Sequence, residues 1–510
     1  MTHNDPMNDC TMRLATLVSS LLVAQCAQAD ESAIAAATPA KSATAAAGLP
    51  PQPATPKKGK TQAKPASGES TDAKSPVEDK KGTTPPEYKR PNRWGLTAGG
   101  SQRKDWLTGK NRFELHEHIN AHKMLDMPEW LEGTLEQRTR YETFDTPWQK
   151  GQTGGQQQIP LQTVLWMEAH KNGYRAGFEF WDARQFGAKP EYTLNNSMVN
   201  VANFAQMYAA WSTQNLADSH LGFEAKGGRY TLDLGSRRLV ARNVYRNTTN
   251  SFTGVNFRLR EGDGAWQVQA FANQPVLRLP EDKEQLLNND WAWDQEQQGS
   301  VFTGALAEAD WLPWGIHNEL YLYYLSESET SALNRHLYTP GLRLYRSPKK
   351  GEFDFEGETI GQTGSARPSK TATQALDVAA YFEHIQAGYT FDLPWDPRIL
   401  LQYDYATGGK THNTSHSFDT LYGARRWEYG PTGIFGAFAR NNINSPGTRL
   451  FVIPHRDVTA FLAYRAWWMA DSRAPWAPAN LVDPTGKAGD FIGQTVEFSA
   501  HWDAHDNIAL

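Results

Sequence analysis

Two stretches of the 510-residue chain concentrate side chains that could do chemistry. The first, Arg229 to Arg260, holds seven arginines, Arg229, Arg237, Arg238, Arg242, Arg246, Arg258 and Arg260, against a single acid, Asp233. Crowded guanidinium groups repel one another, and a fold keeps them where carboxylates, phosphates or sulfates are to be held in a bidentate fork. The competing reading pairs the same arginines with acids from adjacent strands. The second stretch, Phe418 to Arg449, adds Arg425, Arg426, Arg440 and Arg449 beside Tyr422, Trp427, Tyr429, Phe435 and Phe438, with Asp419 and Glu428 as local acids. Aromatic faces stack on the C–H surface of sugar rings while arginines hold acidic groups, so a track for a polymer of uronic acids is chemically sensible. The blander alternative is an inward-folded loop that only narrows a passage. Gly423, Gly430, Gly433, Gly436 and Gly447 break any helical period, and Pro431 and Pro446 stop ladders, so this stretch reads as a long connection.

Bond-making chemistry finds no support. The sequence has no nucleophile elbow, phosphate loop or dinucleotide fingerprint in a strand-to-helix setting. His116, Glu117, His118 and His122 crowd together without the spacing of a zinc helix, and His412 and His416 fall on a Thr/Asn/Ser loop. Asp483, Gly486, Gly489 and Asp490 do not match a calcium loop and read as a polar turn. The two cysteines, Cys10 and Cys26, lie in the first 30 residues. No catalytic residue, metal or cofactor is expected, and a net charge of -5 with dispersed basic residues gives no reason to expect nucleic acid.

The elements that must position these arginines are strands. After Arg13, an apolar run and Ala27-Gln28-Ala29 form a secretory signal with cleavage expected after Ala29. Residues 30–92 are rich in Ala, Pro, Lys, Thr and Ser and read as a disordered tether. From Trp130 the period becomes two. Glu132, Thr134, Glu136, Arg138 and Arg140 alternate with Leu131, Gly133 and Leu135; Phe353 and Phe355 alternate with Asp354, Glu356 and Glu358; Val496, Phe498 and Trp502 alternate with Glu497, Ser499 and Asp503. Further strands are expected at 162–170, 173–182, 229–234, 255–260, 266–271, 302–310, 318–326, 342–346, 376–389, 398–407 and 457–470. Turn chemistry such as Leu312-Pro313-Trp314-Gly315 and Leu393-Pro394-Trp395-Asp396-Pro397 joins them. Alternating segments of about 9 to 11 residues tipped with Trp or Tyr fit a tilted strand crossing an outer membrane. Their polar faces are too charged for a dry core, but suit a water-filled lumen. The expected fold is all-β: a large antiparallel transmembrane β-barrel over 93–510, with about 16–18 strands at roughly 22 residues per strand and connection.

At this point the residues resemble a family. Arg237-Arg238, the run from Arg242-Asn243-Val244-Tyr245-Arg246 to Phe252, the Phe418 to Arg449 stretch, and Tyr464-Arg465-Ala466-Trp467-Trp468 with Asp471-Ser472-Arg473 are similar to the alginate export outer-membrane porins, from about Trp130 to the C-terminus. The resemblance implies a barrel of about 18 strands whose arginine-rich constriction passes an anionic polyuronate from periplasm to exterior. Two departures stand out. The chain ends His505-Asp506-Asn507-Ile508-Ala509-Leu510 without a terminal aromatic residue, so one or two closing strands are expected to be missing, and the tether is not part of the family pattern.

The expectation is therefore a bacterial outer-membrane channel and not an enzyme. Its substrate path would comprise Arg237, Arg238, Arg242, Arg246, Arg258, Arg260, Arg425, Arg426, Arg440, Arg449 and Arg465 with Tyr422, Trp427 and Tyr429. Asp419 and Glu428 would pair some of the arginines and keep the ring in shape. Expected partners are an anionic polysaccharide or other anionic solute, outer-membrane lipid, the barrel assembly machinery and, beyond these, periplasmic export components. The alternatives are a general or small-anion porin, and a secreted all-β polysaccharide-active enzyme.

Overall fold

The computed structural model describes residues 127–510 apart from 244, 263, 506 and 507. The expected signal peptide, the tether, the histidines at 116, 118 and 122, and the side chain of Trp427 lie outside the described residues. What remains is one 21-stranded sheet. Five of its strands are two or three residues long, which leaves sixteen long ones. The first eight are β1 (Leu131–Thr139), β2 (Gln156–Lys171), β3 (Tyr174–Phe186), β4 (Asn200–Thr213), β5 (Leu221–Tyr230), β6 (Phe252–Glu261), β7 (Trp266–Leu277) and β8 (Val301–Leu312). The others are β9 (Ile316–Ser326), β10 (His336–Arg346), β11 (Phe353–Ala366), β12 (Leu376–Thr390), β13 (Arg398–Ala406), β14 (Ile443–His455), β15 (Val458–Trp468) and β16 (Phe491–His505). Each long strand pairs antiparallel with the next. Among the described residues no pairing joins β1 to β16.

The strands bury their charges and expose their apolar side chains. In β11, Asp354, Glu356 and Glu358 are 3%, 2% and 3% exposed, while the intervening Phe353 and Phe355 are 71% and 36% exposed. The same inversion separates His384 from Ile385 in β12 and Gln402 from Leu401 in β13. Water would not tolerate that arrangement. Hydrocarbon on one face and a polar interior on the other require it, because successive side chains of a strand point to opposite faces. No helix among the described residues is long and apolar enough to cross a membrane.

Connections differ between the two ends of the strands. At one end they are tight: 172–173, 214–220, 262–265, 313–315, 347–352, 391–397 and 456–457. At the other they are longer: 140–155, 187–199, 231–251, 278–300, 327–335, 367–375, 407–442 and 469–490. Tight periplasmic turns and long external loops are the pattern of bacterial outer-membrane barrels. Among the long loops, 278–300 carries helix α1 (Lys283–Asn288), capped by the Asp282 side chain on the Glu284 and Gln285 amides, and 407–442 carries α2 (Arg426–Tyr429).

Three expectations need correction. The strand expected at 229–234 is the end of β5, which stops at Tyr230 before the chain leaves the wall. Strands β4 and β5 were not foreseen as units; β4 has register shifts and a left-handed Ala202, and β5 contains Gly227-Gly228, so neither reads as clean alternation. The Phe418 to Arg449 stretch is not all connection, because β14 begins at Ile443 and contains Pro446, Gly447 and Arg449. Pro446 stands opposite Tyr403 of β13, and the ladder to β15 passes from Asn444 to Gly447, so the missing N–H falls where pairing is already interrupted.

Candidate functional site: the inward loop pair

The two arginine-bearing loops, 231–251 and 407–442, meet. Val240 and Tyr422 form a parallel β-bridge, the Tyr422 amide donates to Leu239 O at 2.9 Å, and the Ala424 amide donates to Arg237 O at 2.9 Å. One glycine permits this. A Cβ on Gly423 would stand 1.7 Å from the Arg238 carbonyl oxygen, so any side chain there drives the two backbones apart. Leu239 and Val240 of one loop and Phe418, Tyr429 and Phe438 of the other are buried in one apolar cluster, which gives the pair an apolar spine. Asn247 pins the first loop to the wall, its Nδ2 donating to Leu161 O, Arg184 O and Met198 O at 2.9, 3.0 and 3.0 Å.

Around this spine the arginines meet carboxylates. Arg238 reaches Glu356 and Glu358 of β11 and donates from Nε to Glu428 Oε1 of α2 at 3.0 Å. Burial alone would lower its pKa; Glu356, Glu428 and Glu358 outweigh that and hold it well above the ordinary arginine value. Glu428 also binds Arg440, and its carbonyl oxygen accepts from Arg465 Nη1 at 2.8 Å and Arg449 Nη2 at 3.3 Å. Burial pushes the Glu428 carboxyl up, but Arg440 and Arg238 prevail and the net shift is downward. Arg440 in turn donates to Ala424 O at 2.6 Å. In the wall behind, Arg465 pairs with Asp404, Arg343 with Glu319 at 2.7 Å and Glu356 at 3.0 Å, and Arg398 with Asp354. Loop and wall are thus tied by a run of ion pairs from Glu319 through Arg343, Glu356, Arg238 and Glu428 to Arg440, and removing a single member of a buried pair costs about 3–5 kcal/mol.

The remaining expected site residues fall as follows. Arg237, at φ 68°, binds Asp233 at 2.7 Å, and Arg242 binds Glu179 of β3 and lies over the Trp181 ring. Arg426 binds Glu497 of β16 at 2.8 Å. Asp419 pairs with Arg335 at 2.9 Å, an arginine outside the expected set. Arg258 and Arg260 are not brought to the loop pair: they lie along β6 toward the tight-turn end, donating to Gln269 and Gln214. Tyr422 and Tyr429 do not offer free ring faces. Tyr422 packs edge-on against Phe252, and Tyr429 against Trp467 with Arg440 and Arg465 over its ring.

The flank of the loop pair that faces β1 to β4 differs. Here a cleft is lined by Arg140, Glu142, Gln158, Gln185, Tyr245, Arg246 and Thr432. The guanidinium groups of Arg140 and Arg426 lie over the Tyr245 ring, at 4.6 and 5.3 Å from its centre, and Arg140 pairs with Glu142 at 2.9 Å. Arg246 has no carboxylate partner among the described residues. It donates to Asn250 Oδ1 at 2.9 Å, and its Nε is buried without a hydrogen-bond partner. Burial, with Arg278 and Arg425 adding repulsion, depresses its pKa well below the ordinary value. Arg278 donates to Asn196 O, Thr249 O and Asn250 Oδ1, with the carboxylates of Asp294 and Glu281 as electrostatic neighbours, and Arg425 donates to Phe438 O. Arg246 therefore borders a narrow cleft with a cationic charge that no carboxylate of the described residues matches.

The sequence left several members of this assembly unnamed. Glu179, Glu319, Asp404, Arg343 and Arg398 lie on polar strand faces, and their signal is the charge on faces that alternation turns inward. Asn247 carried no signal of its own.

Comparison with known proteins places the chain. The alginate export family model matches residues 129–510. No curated sequence matches. Solved structures with similar chains include OccK2 (OpdF) of Pseudomonas aeruginosa, at 12% identity and a TM-score of 0.42 over 66% of this chain and 81% of that one. OccAB1 of Acinetobacter baumannii matches at 13% identity and a TM-score of 0.47 over 73% and 85%. The chain belongs to the alginate export family, and it is a bacterial outer-membrane β-barrel that serves as a solute channel and not as an enzyme.

Proposed function

We propose that this channel passes an anionic polysaccharide, a polyuronate of the alginate kind, by facilitated diffusion along the arginine-bearing loop pair. The carboxylates would be met at the cleft beside β1 to β4. The observation that carries this reading is Arg246, a half-buried arginine with no carboxylate partner among the described residues, next to Arg425, which is likewise without one. A protein that needed those charges only for shape would have matched them, as it matched Arg238 with three acids. On this reading Arg238, Arg440 and Arg465 hold the constriction, while Arg140, Arg246, Arg278 and Arg425 attract the cargo. Single contacts stay weak because one or two guanidinium groups meet each carboxylate in a wet passage, and a polymer must leave as readily as it enters.

A small-anion porin is the second reading, and the neutralised majority of the arginines favours it. Planar-bilayer recording separates the two. Anion selectivity with current blocked by oligouronate supports the polymer path; anion selectivity without block supports the small-anion porin; cation preference refutes both.

A further inference from the structure

The cleft between the loop pair and β1 to β4 has room for about one water-sized group. A sugar ring is too large for it, so the part of a solute that enters is a single substituent. The side chains around it decide which. Gln158 of β2, Gln185 of β3, Asn247 of the first loop and Thr432 of the second are buried, and Arg140 and Arg246 are half-buried. Most are already fastened. Gln158 Nε2 donates to Glu142 Oε2 at 2.7 Å, Asn247 Nδ2 donates to its three carbonyls, and Asn289 clamps the Gln185 backbone, accepting from its amide at 2.8 Å and donating to its carbonyl at 2.9 Å. Arg140 is turned to Glu142 and Arg246 to Asn250. What each has left is a buried atom without a hydrogen-bond partner: Gln158 Oε1, Asn247 Oδ1, both side-chain polar atoms of Gln185, Thr432 Oγ1, and the Nε of Arg140 and of Arg246. Buried polar atoms are rarely left unpaired, and so many around one cleft point to a guest that pairs them.

The unspent atoms include both donors and acceptors. An arginine Nε can only donate. The oxygens of Gln158 and Asn247 can only accept, because the nitrogens of the same amides are already spent as donors. Gln185 and Thr432 can do either. A carboxylate, which only accepts, would leave the Gln158 and Asn247 oxygens unmet, and an ammonium, which only donates, would leave both arginines unmet. A hydroxyl group both donates and accepts, and it is the size of guest that the cleft admits. On a uronic acid, hydroxyls and carboxylate share one ring, so a hydroxyl can enter the cleft while the charge stays at the half-buried guanidinium of Arg246.

We propose that this cleft is a hydroxyl-reading subsite, in which Gln158, Gln185, Asn247 and Thr432 with the Nε groups of Arg140 and Arg246 receive one sugar hydroxyl and so tell a polyuronate from a polyanion without hydroxyl groups. The proposal rests on the polyuronate reading and adds the basis of its specificity. The test records planar-bilayer currents through the full chain, with oligouronate and with oligoglutamate of equal charge number as blockers. Oligouronate blocks the wild type at about tenfold lower concentration, because a solute that lacks the hydroxyl leaves the buried groups unpaired. Gln185→Met keeps the backbone bonds to Asn289, and Thr432→Val keeps the side-chain shape; each removes only unspent polar atoms and should fold. Each lowers the preference to about threefold or less and leaves block by oligoglutamate unchanged. Equal block of the wild type by the two oligomers overturns the proposal while the polyuronate reading stands, and so does a preference that both variants retain in full. Absence of block by oligouronate overturns the polyuronate reading and this proposal with it.

Discussion

The two flanks of the inward loop pair use the same residue type for opposite ends. Toward β11 to β15, Arg238, Arg343, Arg398, Arg440 and Arg465 each meet a carboxylate. Toward β1 to β4, Arg246 and Arg425 donate only to neutral acceptors. The pKa directions record the difference: that of Arg238 is raised by its acids against the effect of burial, and that of Arg246 is lowered by burial and by neighbouring arginines. A guanidinium is neither structural nor cargo-binding by nature. Its counter-charge decides, because a matched pair is held in place while an unmatched cation gains by meeting an anion.

The comparison can be broken most severely at Glu428. Glu428→Gln removes the acid shared by Arg238 and Arg440 and is expected to lower stability by about 3–5 kcal/mol, read as the urea midpoint of heat-modifiable mobility. Acid should mimic it. The folded Glu428 carboxyl titrates below its unfolded value of about 4.3, so its contribution is present above that pH and is lost as pH falls below it. If conductance and stability are flat from neutral pH to about pH 3, Glu428 does not hold the constriction. A smaller effect, about 1–3 kcal/mol, is expected of Gly423→Ala, whose methyl group meets the Arg238 carbonyl. Parting the loops should also raise single-channel conductance, and an unchanged conductance would mean the passage lies elsewhere.

On the other flank the expected changes are in selectivity and not in stability. Arg246→Gln relieves an unmatched half-buried cation, so stability should change by less than about 1 kcal/mol while anion selectivity falls severalfold, and Arg246→Glu should reverse it. A large loss of stability with unaltered selectivity would make Arg246 structural, contrary to the comparison. Smallest of all should be Arg260→Gln, at the exposed end of β6 beside Gln214, within about 0.5 kcal/mol and without effect on oligouronate block.

Much of the wall was legible in the sequence because alternation is a local signal. Phe353 to Glu358 announce which face meets lipid and which meets the interior. Where bulges and paired glycines blur the period, as at Ala202 and Gly227-Gly228, the strand could not be read. The loop pair was legible only as composition. Arginine and glycine content marked 237–246 and 418–440 as special, but which arginine meets which acid depends on strands far along the chain, and no local pattern ties Arg238 to Glu356. What covers the rings of Tyr422 and Tyr429 is illegible for the same reason, since an aromatic residue among arginines gives no sign of whether its face is covered.

The parallel bridge between Val240 and Tyr422 has a consequence for how the molecule is made. Neighbouring strands of the wall are neighbours in sequence, so each hairpin can form from local contacts once its two strands have emerged. The contacts of the loop pair span far more chain: 172 positions from Asn250 to Tyr422, 190 from Arg238 to Glu428 and 202 from Arg238 to Arg440. Contacts of such high order are slow to form. The loop at 231–251 must therefore wait, with its arginines still hydrated, until β13 and β14 bring 407–442 alongside. The latch between the two loops can therefore close no earlier than the strands β13 and β14 that carry its second half.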